Sequence, residues 1–307
     1  MLSKKLFIYV FLTLLLFNFV KSKEILIISK IENEIITNID VEIEKKYLLL
    51  LNENLKSLSK KEFFKVAKNS LIREKIKKRE IDKLFNKNND KLENTIIENF
   101  YKRLGFDERE KFIKFLEVKK ISFDSLKKKL ILEALWNRII YNKFNNKIKI
   151  DEKSLKKKII NYYNSKDKKY EYNLSEIIID IENDPELKQK EIYNYIEQFG
   201  FNIAANKFSK SNTSKYGGKI GWVKSSRLSK KIKINISSLK VDEVSKPIQI
   251  PNGYLFLKLN DKKEIKEKVN LENELKQQIK FEKNRQLNQF SLNYYKKLKK
   301  NTKIYEY

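Results

Sequence analysis

The chain has 307 residues, a formal net charge of +28, no cysteine and no histidine. The two absences exclude disulfides, lipid attachment through cysteine, Ser-His-Asp and Cys-His catalysis, imidazole bases and nearly all zinc sites, so stability must come from packed cores. Lysine supplies almost all of the positive charge, spread evenly and with few arginines, which reads as a solvated surface rather than a phosphate-binding stripe.

Lys4 and Lys5 precede an apolar run from Leu6 to Val20, and Val20-Lys21-Ser22 supplies small-residue cleavage chemistry. A run of about 15 residues suits a secretory signal better than a spanning helix, which needs roughly 20. Residues 1–22 are therefore expected to be a signal peptide, with an uncleaved anchor as the alternative. The membrane is expected to be touched only through this segment, before cleavage, leaving a soluble exported chain.

Residues 23–164 read as mostly helical. A hairpin comes first, with Ile25–Ile28 as one strand, Glu32-Asn33 as the turn and Ile35-Ile36 opening the second strand. Thr37 with Asp40, and Ser59 with Glu62, are spaced to cap two helices, the second carrying Phe63, Val66, Leu71 and Ile76 on one face. After a polar break at Asn86–Asp90 come a helix from about Lys91 stopped by Gly105, one capped by Asp107, a long one capped by Ser122 and running to Phe144, and one opened by Asp151 and Ser154. Aromatic residues such as Phe63, Phe64, Phe100, Phe112, Phe115 and Trp136 could line an apolar groove or form ordinary core.

Residues 165–262 differ. Tyr170–Asp180 alternates as a strand, and Asp184-Pro185 starts a helix by the N-cap and N1 rule. A shorter helix passes through Ile203, Ala204 and Phe208, followed by strands near Ile220–Val223 and Tyr254–Leu259, in the order β-α-α-β-α-β. Three of the six glycines in the chain fall at Gly217, Gly218 and Gly221, where they let the backbone fold against the sheet and Trp222 pack on it. Residues 263–307 return to a helix over about Glu264–Lys300, with Thr302–Tyr307 as a strand able to pair with the first one. The fold class expected is α+β.

Gly217-Gly218-Lys219-Ile220-Gly221-Trp222, the run Ser238–Ile248 and Gly253-Tyr254-Leu255-Phe256-Leu257-Lys258 together resemble the SurA-type periplasmic chaperones, in which a parvulin-type prolyl isomerase module is inserted between a helical domain and its returning C-terminal helix. The resemblance implies a signal peptide at 1–22, a helical chaperone domain at 23–164, one parvulin-like domain at 165–262, and a helix and strand at 263–307 packing back on the first domain. It implies periplasmic location, unfolded outer-membrane or other exported polypeptides as partners, and neither a nucleic-acid partner nor a cofactor or metal.

Active members of the family place two histidines on adjoining strands and a Cys or Asp before the double glycine. The matching positions here are Glu176, Leu255 and Ser211, with Asn252 as a further polar candidate beside the last strand. Leu255 cannot hydrogen-bond, and Glu176 shares a strand face with Leu174 and Ile178, where a carboxylate needs a donor or a raised pKa. No catalytic residue is assigned; these four are the degenerate positions of the pocket. The resemblance implies a chaperone for outer-membrane proteins whose isomerase module is weak or inactive. An active secreted isomerase using Glu176, Ser211 and Asn252 is the alternative reading, and a non-catalytic envelope interaction protein a third.

Overall fold

The computed structural model describes residues 24–84, 90–165, 168–181, 184–251, 253–265 and 270–307. The expected signal peptide at 1–22, most of the polar break after Phe85 and the candidate Asn252 lie outside the described residues.

Strands β1 (Ile27–Ile31) and β2 (Glu34–Thr37) form the hairpin, turning through Glu32 at φ 51°. The strand starts two residues later than its apolar run suggests. A bulge between Ile27 and Ser29 turns Ser29, Ile31 and Ile36 inward and leaves Ile25, Leu26 and Ile27 exposed, because register follows the turn and the buried face rather than hydrophobicity alone.

Helix α1 (Asn38–Leu51) carries the expected capping box: the Asp40 N–H donates to the Thr37 hydroxyl at 3.2 Å and the Thr37 N–H to the Asp40 carboxylate at 2.8 Å. At the start of α2 (Lys60–Leu84) the Glu62 N–H donates to Ser59 Oγ at 3.3 Å. Helices α3 (Asp90–Arg103), α4 (Arg109–Val118), α5 (Phe123–Phe144) and α6 (Glu152–Asn164) follow. Ser122 and Asp151 cap α5 and α6 as expected. Asp107 does not cap α4; Glu108 holds that position and makes no capping bond with its side chain.

Phe63, Phe100, Phe112 and Trp136 are buried in the cores, with Phe64 and Phe115 packed against them. Phe63, Phe100, Phe112 and Trp136 are core side chains, and Phe64 and Phe115 are half-buried. Trp136 donates its indole N–H to Ser291 Oγ at 2.9 Å and stacks on Tyr294, joining α5 to α10 (Leu271–Lys300). Helix α10 also packs on α6 and α2. It starts seven residues later than expected, capped by Asn270, because the preceding strand continues through Glu264. Strand β7 (Ile304–Glu306) then pairs antiparallel with β1, giving a sheet of order β2-β1-β7 in which the two ends of the described chain meet.

Between α6 and α10 lies a second sheet, all antiparallel, of order β4-β3-β6-β5. Its strands are β3 (Tyr170–Asp180), β4 (Lys219–Lys224), β5 (Ile248–Ile250) and β6 (Gly253–Glu264), with helices α7 (Pro185–Phe199), α8 (Phe201–Phe208) and α9 (Lys230–Ser237). One sheet face, with Ile177, Ile179 and Phe256, meets Ile192, Phe201 and Ala204 of α7 and α8 in a core continuous with that of the N-terminal helices. The other face, with Leu174, Leu255 and Leu257, is closed by Leu228 and by Ile236 of α9. The fold is α+β. Trp222 does not pack into the sheet: it stands on the edge strand β4, 41% exposed, with the Lys263 ammonium 4.5 Å from its ring centroid.

Candidate functional site

Strand alternation decides which groups share a face. In the β3–β6 ladder Glu176 lies opposite Leu257 and Ile178 opposite Leu255, so Glu176 and Leu255 are diagonal neighbours on one face. Leu255 is 7% exposed among Leu257, Ile248 and Ile236. This part of the site is apolar and offers no proton or lone pair.

Glu176 reaches its partners through the loop that follows α8. The Lys210 N–H donates to the Ile178 carbonyl at 2.7 Å and the Ile178 N–H to Ser209 Oγ at 3.1 Å, which lays residues 209–211 alongside β3. The loop then returns through the two glycines, and the Glu176 N–H donates to the Gly218 carbonyl at 2.8 Å. Gly218 has φ +78°, and a Cβ there would stand 2.4 Å from the Glu176 carbonyl oxygen. Only glycine fits that approach without moving the strand. Gly221, also left-handed at φ +87°, sits at the bulge where Leu174 and Ser175 pair with Gly221 and Lys219.

The result is a compact polar cluster. Glu176 Oε1 accepts from Ser211 Oγ at 2.6 Å and from Thr213 Oγ1 at 3.0 Å, and the two hydroxyls are 3.0 Å apart. Burial raises the Glu176 carboxyl above its ordinary pKa, and the Ser211 and Thr213 hydroxyls pull it part of the way back. Both remedies anticipated for a carboxylate on this face are thus present. The structure brings Glu176 and Ser211 together and sets Leu255 beside them as an apolar wall. Thr213 was not anticipated; two residues past Ser211 in a turn, nothing in its sequence context separates it from an ordinary turn residue.

A carboxyl and two hydroxyls can orient a backbone amide by hydrogen bonding, but they supply no imidazole. X-Pro rotation must cross a barrier of about 18–20 kcal/mol set by amide resonance. Lowering it needs a pocket for the proline ring and groups that favour the twisted amide. No cluster of His, Cys, Asp or Glu able to hold a metal ion occurs among the described residues.

The loop is also fastened to the helical frame. Arg73 of α2 donates to Ser214 Oγ at 3.0 Å, and Asn52 donates to Asn206 Oδ1 at 2.6 Å. Glu133 of α5 lies 3.1 Å from the Lys77 ammonium and 3.5 Å from that of Lys215. Burial opposes ionisation of Glu133, but Lys77 and Lys215 outweigh it and hold the carboxyl at about 2.

Residues 180–261 match the Rotamase family model, described as a PPIC-type PPIASE domain. The module is a parvulin-type domain, with Ser211 and Leu255 inside the matched residues and Glu176 on the strand just before them. The chain is 27% identical over 154 residues to Chaperone SurA of Pseudomonas putida and 24% identical over 152 residues to Chaperone SurA of Pseudomonas aeruginosa. Each match takes in 47% of this chain but only 36% of the relative, so the chain spans about a third of the length of the curated relatives it matches. Among solved structures, a PpiC-type isomerase domain is 27% identical, covers 31% of this chain and 93% of that one, and has a TM-score of 0.29. A SurA-like chaperone of Campylobacter jejuni is 17% identical over 92% of this chain and 98% of its own, with a TM-score of 0.37. Residues 180–261 thus form a parvulin-type domain, and about half of the chain is similar to the proteins named Chaperone SurA.

Proposed function

We propose that the chain is a periplasmic chaperone that binds unfolded outer-membrane proteins in transit, and that its parvulin-type domain is a weak or inactive isomerase retained as a binding or spacing element. The sequence likeness to the two proteins named Chaperone SurA carries the first part. The Glu176, Ser211 and Leu255 set, standing where active relatives of the resemblance place histidines and a Cys or Asp, carries the second. The cationic apolar leader supports export, and no helix among the described residues is long and apolar enough to cross a membrane. Domain limits near 164 and 262 belong to the same reading.

A second reading, an active secreted isomerase, is favoured by one observation: the Glu176, Ser211 and Thr213 cluster keeps hydrogen-bonding groups beside an apolar wall. Proline-limited refolding separates the two. With the purified chain present, the slow phase is expected to keep within about twofold of its uncatalysed rate, which takes tens to hundreds of seconds at 25 °C. Acceleration comparable to that by an active parvulin contradicts the reading of a silent domain.

A further inference from the structure

A cleft of about 210 Å³ opens between the helical frame and the parvulin-type domain. Its walls come from α1, α2, α5 and α10 on one side and from the loop after α8 on the other, with Ile178 and Ile250 of the sheet on its floor. Eight of its lining residues are Lys or Arg and four are Asp or Glu.

The four acids are already engaged. Glu133 is shared by Lys77 and Lys215, Glu44 and Glu74 are both held by Lys129, and Asp180 lies 3.3 Å from Lys296. Arg73 is left bonded to neutral oxygens, the Ser214 hydroxyl and the Ser209 carbonyl, with its guanidinium 5.9 Å from the Tyr295 ring centroid. Lys299 is exposed at the rim and forms no ion pair with any described residue. The excess of cations is felt inside: burial lowers the pKa of Lys77, and Lys215 and Arg73 push it further down against the pull of Glu133. Between the charges stand amides, Asn69, Asn212 and Gln289 among them, and the apolar Leu292 and Tyr295.

From this lining we infer that the cleft takes an extended polypeptide segment carrying Asp or Glu side chains. Carboxylates meet the uncommitted cations, the amide side chains pair with backbone N–H and C=O groups, and the apolar floor takes an intervening side chain. A compact inorganic anion would use the charges but neither the amides nor the floor. The inference rests on the chaperone reading and adds a client class to it: acidic segments dock here, and client selection depends on charge as well as on apolar content.

The test uses the full chain and two fluorescent peptides with the same apolar residues, one bearing Glu and the other Lys at every polar position, followed by anisotropy. The acidic peptide is expected to bind at least about tenfold tighter at roughly 0.05 M salt, with the preference shrinking at about 0.5 M as screening shortens to a few ångströms. Lys299→Glu, an exposed substitution, should weaken the acidic peptide several-fold, and Lys153→Glu, an equal charge change on α6, should not. Equal binding of both peptides overturns the inference while leaving the chaperone reading intact if the chain still suppresses client aggregation. Equal losses in the two variants also overturn it, by showing that net charge and not the cleft selects. Stronger displacement of the acidic peptide by a single-stranded oligonucleotide of matched charge than by unlabelled peptide overturns the assignment to polypeptide.

Discussion

Glu176 is the buried acid at the centre of the polar cluster, bonded by Ser211 and Thr213. Burial raises its pKa, so the folded chain favours the protonated acid; its contribution to stability is full below the unfolded value of about 4.3 and is lost as pH rises through the raised folded value. Glu176→Gln keeps an acceptor for Ser211 and Thr213 and can never ionise. It is expected to raise Tm at about pH 8 and to leave Tm unchanged at about pH 4, measured by thermal melts across pH. A lower Tm at the higher pH would mean that the ionised carboxylate is the stabilising form. Gly218 is the matching backbone residue. Gly218→Ala forces a Cβ to within 2.4 Å of the Glu176 carbonyl oxygen at a left-handed φ, and should cost about 2–4 kcal/mol in urea unfolding. Gly105→Ala, also at positive φ but with nothing within 4 Å, should cost only about 1 kcal/mol.

At the scale of elements, legibility followed locality. The caps at Thr37, Ser122 and Asp151, the Pro185 helix start and the strand Tyr170–Asp180 depend on residues within a few positions of one another, and each was readable. Strand β5 was not: Ile248–Ile250 is three residues long and owes its conformation to antiparallel pairing with β6. The continuation of β6 through Glu264 was hidden for the same reason, since Asp261-Lys262-Lys263-Glu264 is polar and is held extended by its partners Tyr170–Asn173. Motif spacing in the sequence singles out Glu176, Ser211 and Leu255, whereas the hydrogen bonds from Ser211 and Thr213 depend on how the loop folds back. The Arg73–Ser214 hydrogen bond and the Lys215–Glu133 ion pair that fasten this loop to α2 and α5 are longer in range still. Glu133→Gln leaves Lys77 buried without its carboxylate and should cost on the order of 3 kcal/mol. Because the folded pKa of Glu133 is held at about 2, its contribution is present above the unfolded value and fades as pH falls toward 2. The variant should therefore show a flatter acid limb than wild type in a plot of stability against pH.

The whole molecule joins a helical frame to a parvulin-type domain through one continuous core, in which Ile177 and Phe256 of the sheet belong to the same cluster as Phe112 and Leu116 of the helices. Strand β7 closes the frame by pairing with β1. Phe63, Phe100 and Phe112 are buried in that core and Trp136 in the cluster that joins α5 to α10, which leaves the cationic cleft and the exposed Ile25, Leu26 and Ile35 as the surface features of note. The central claim is that this chain holds unfolded outer-membrane proteins, and light scattering of a urea-unfolded outer-membrane barrel diluted into buffer tests it most directly. With the purified chain present at one to a few equivalents, scattering is expected to fall by about half or more, as mass action predicts for binding at or below the working concentration. Scattering unchanged by the chain at every ratio would contradict the claim.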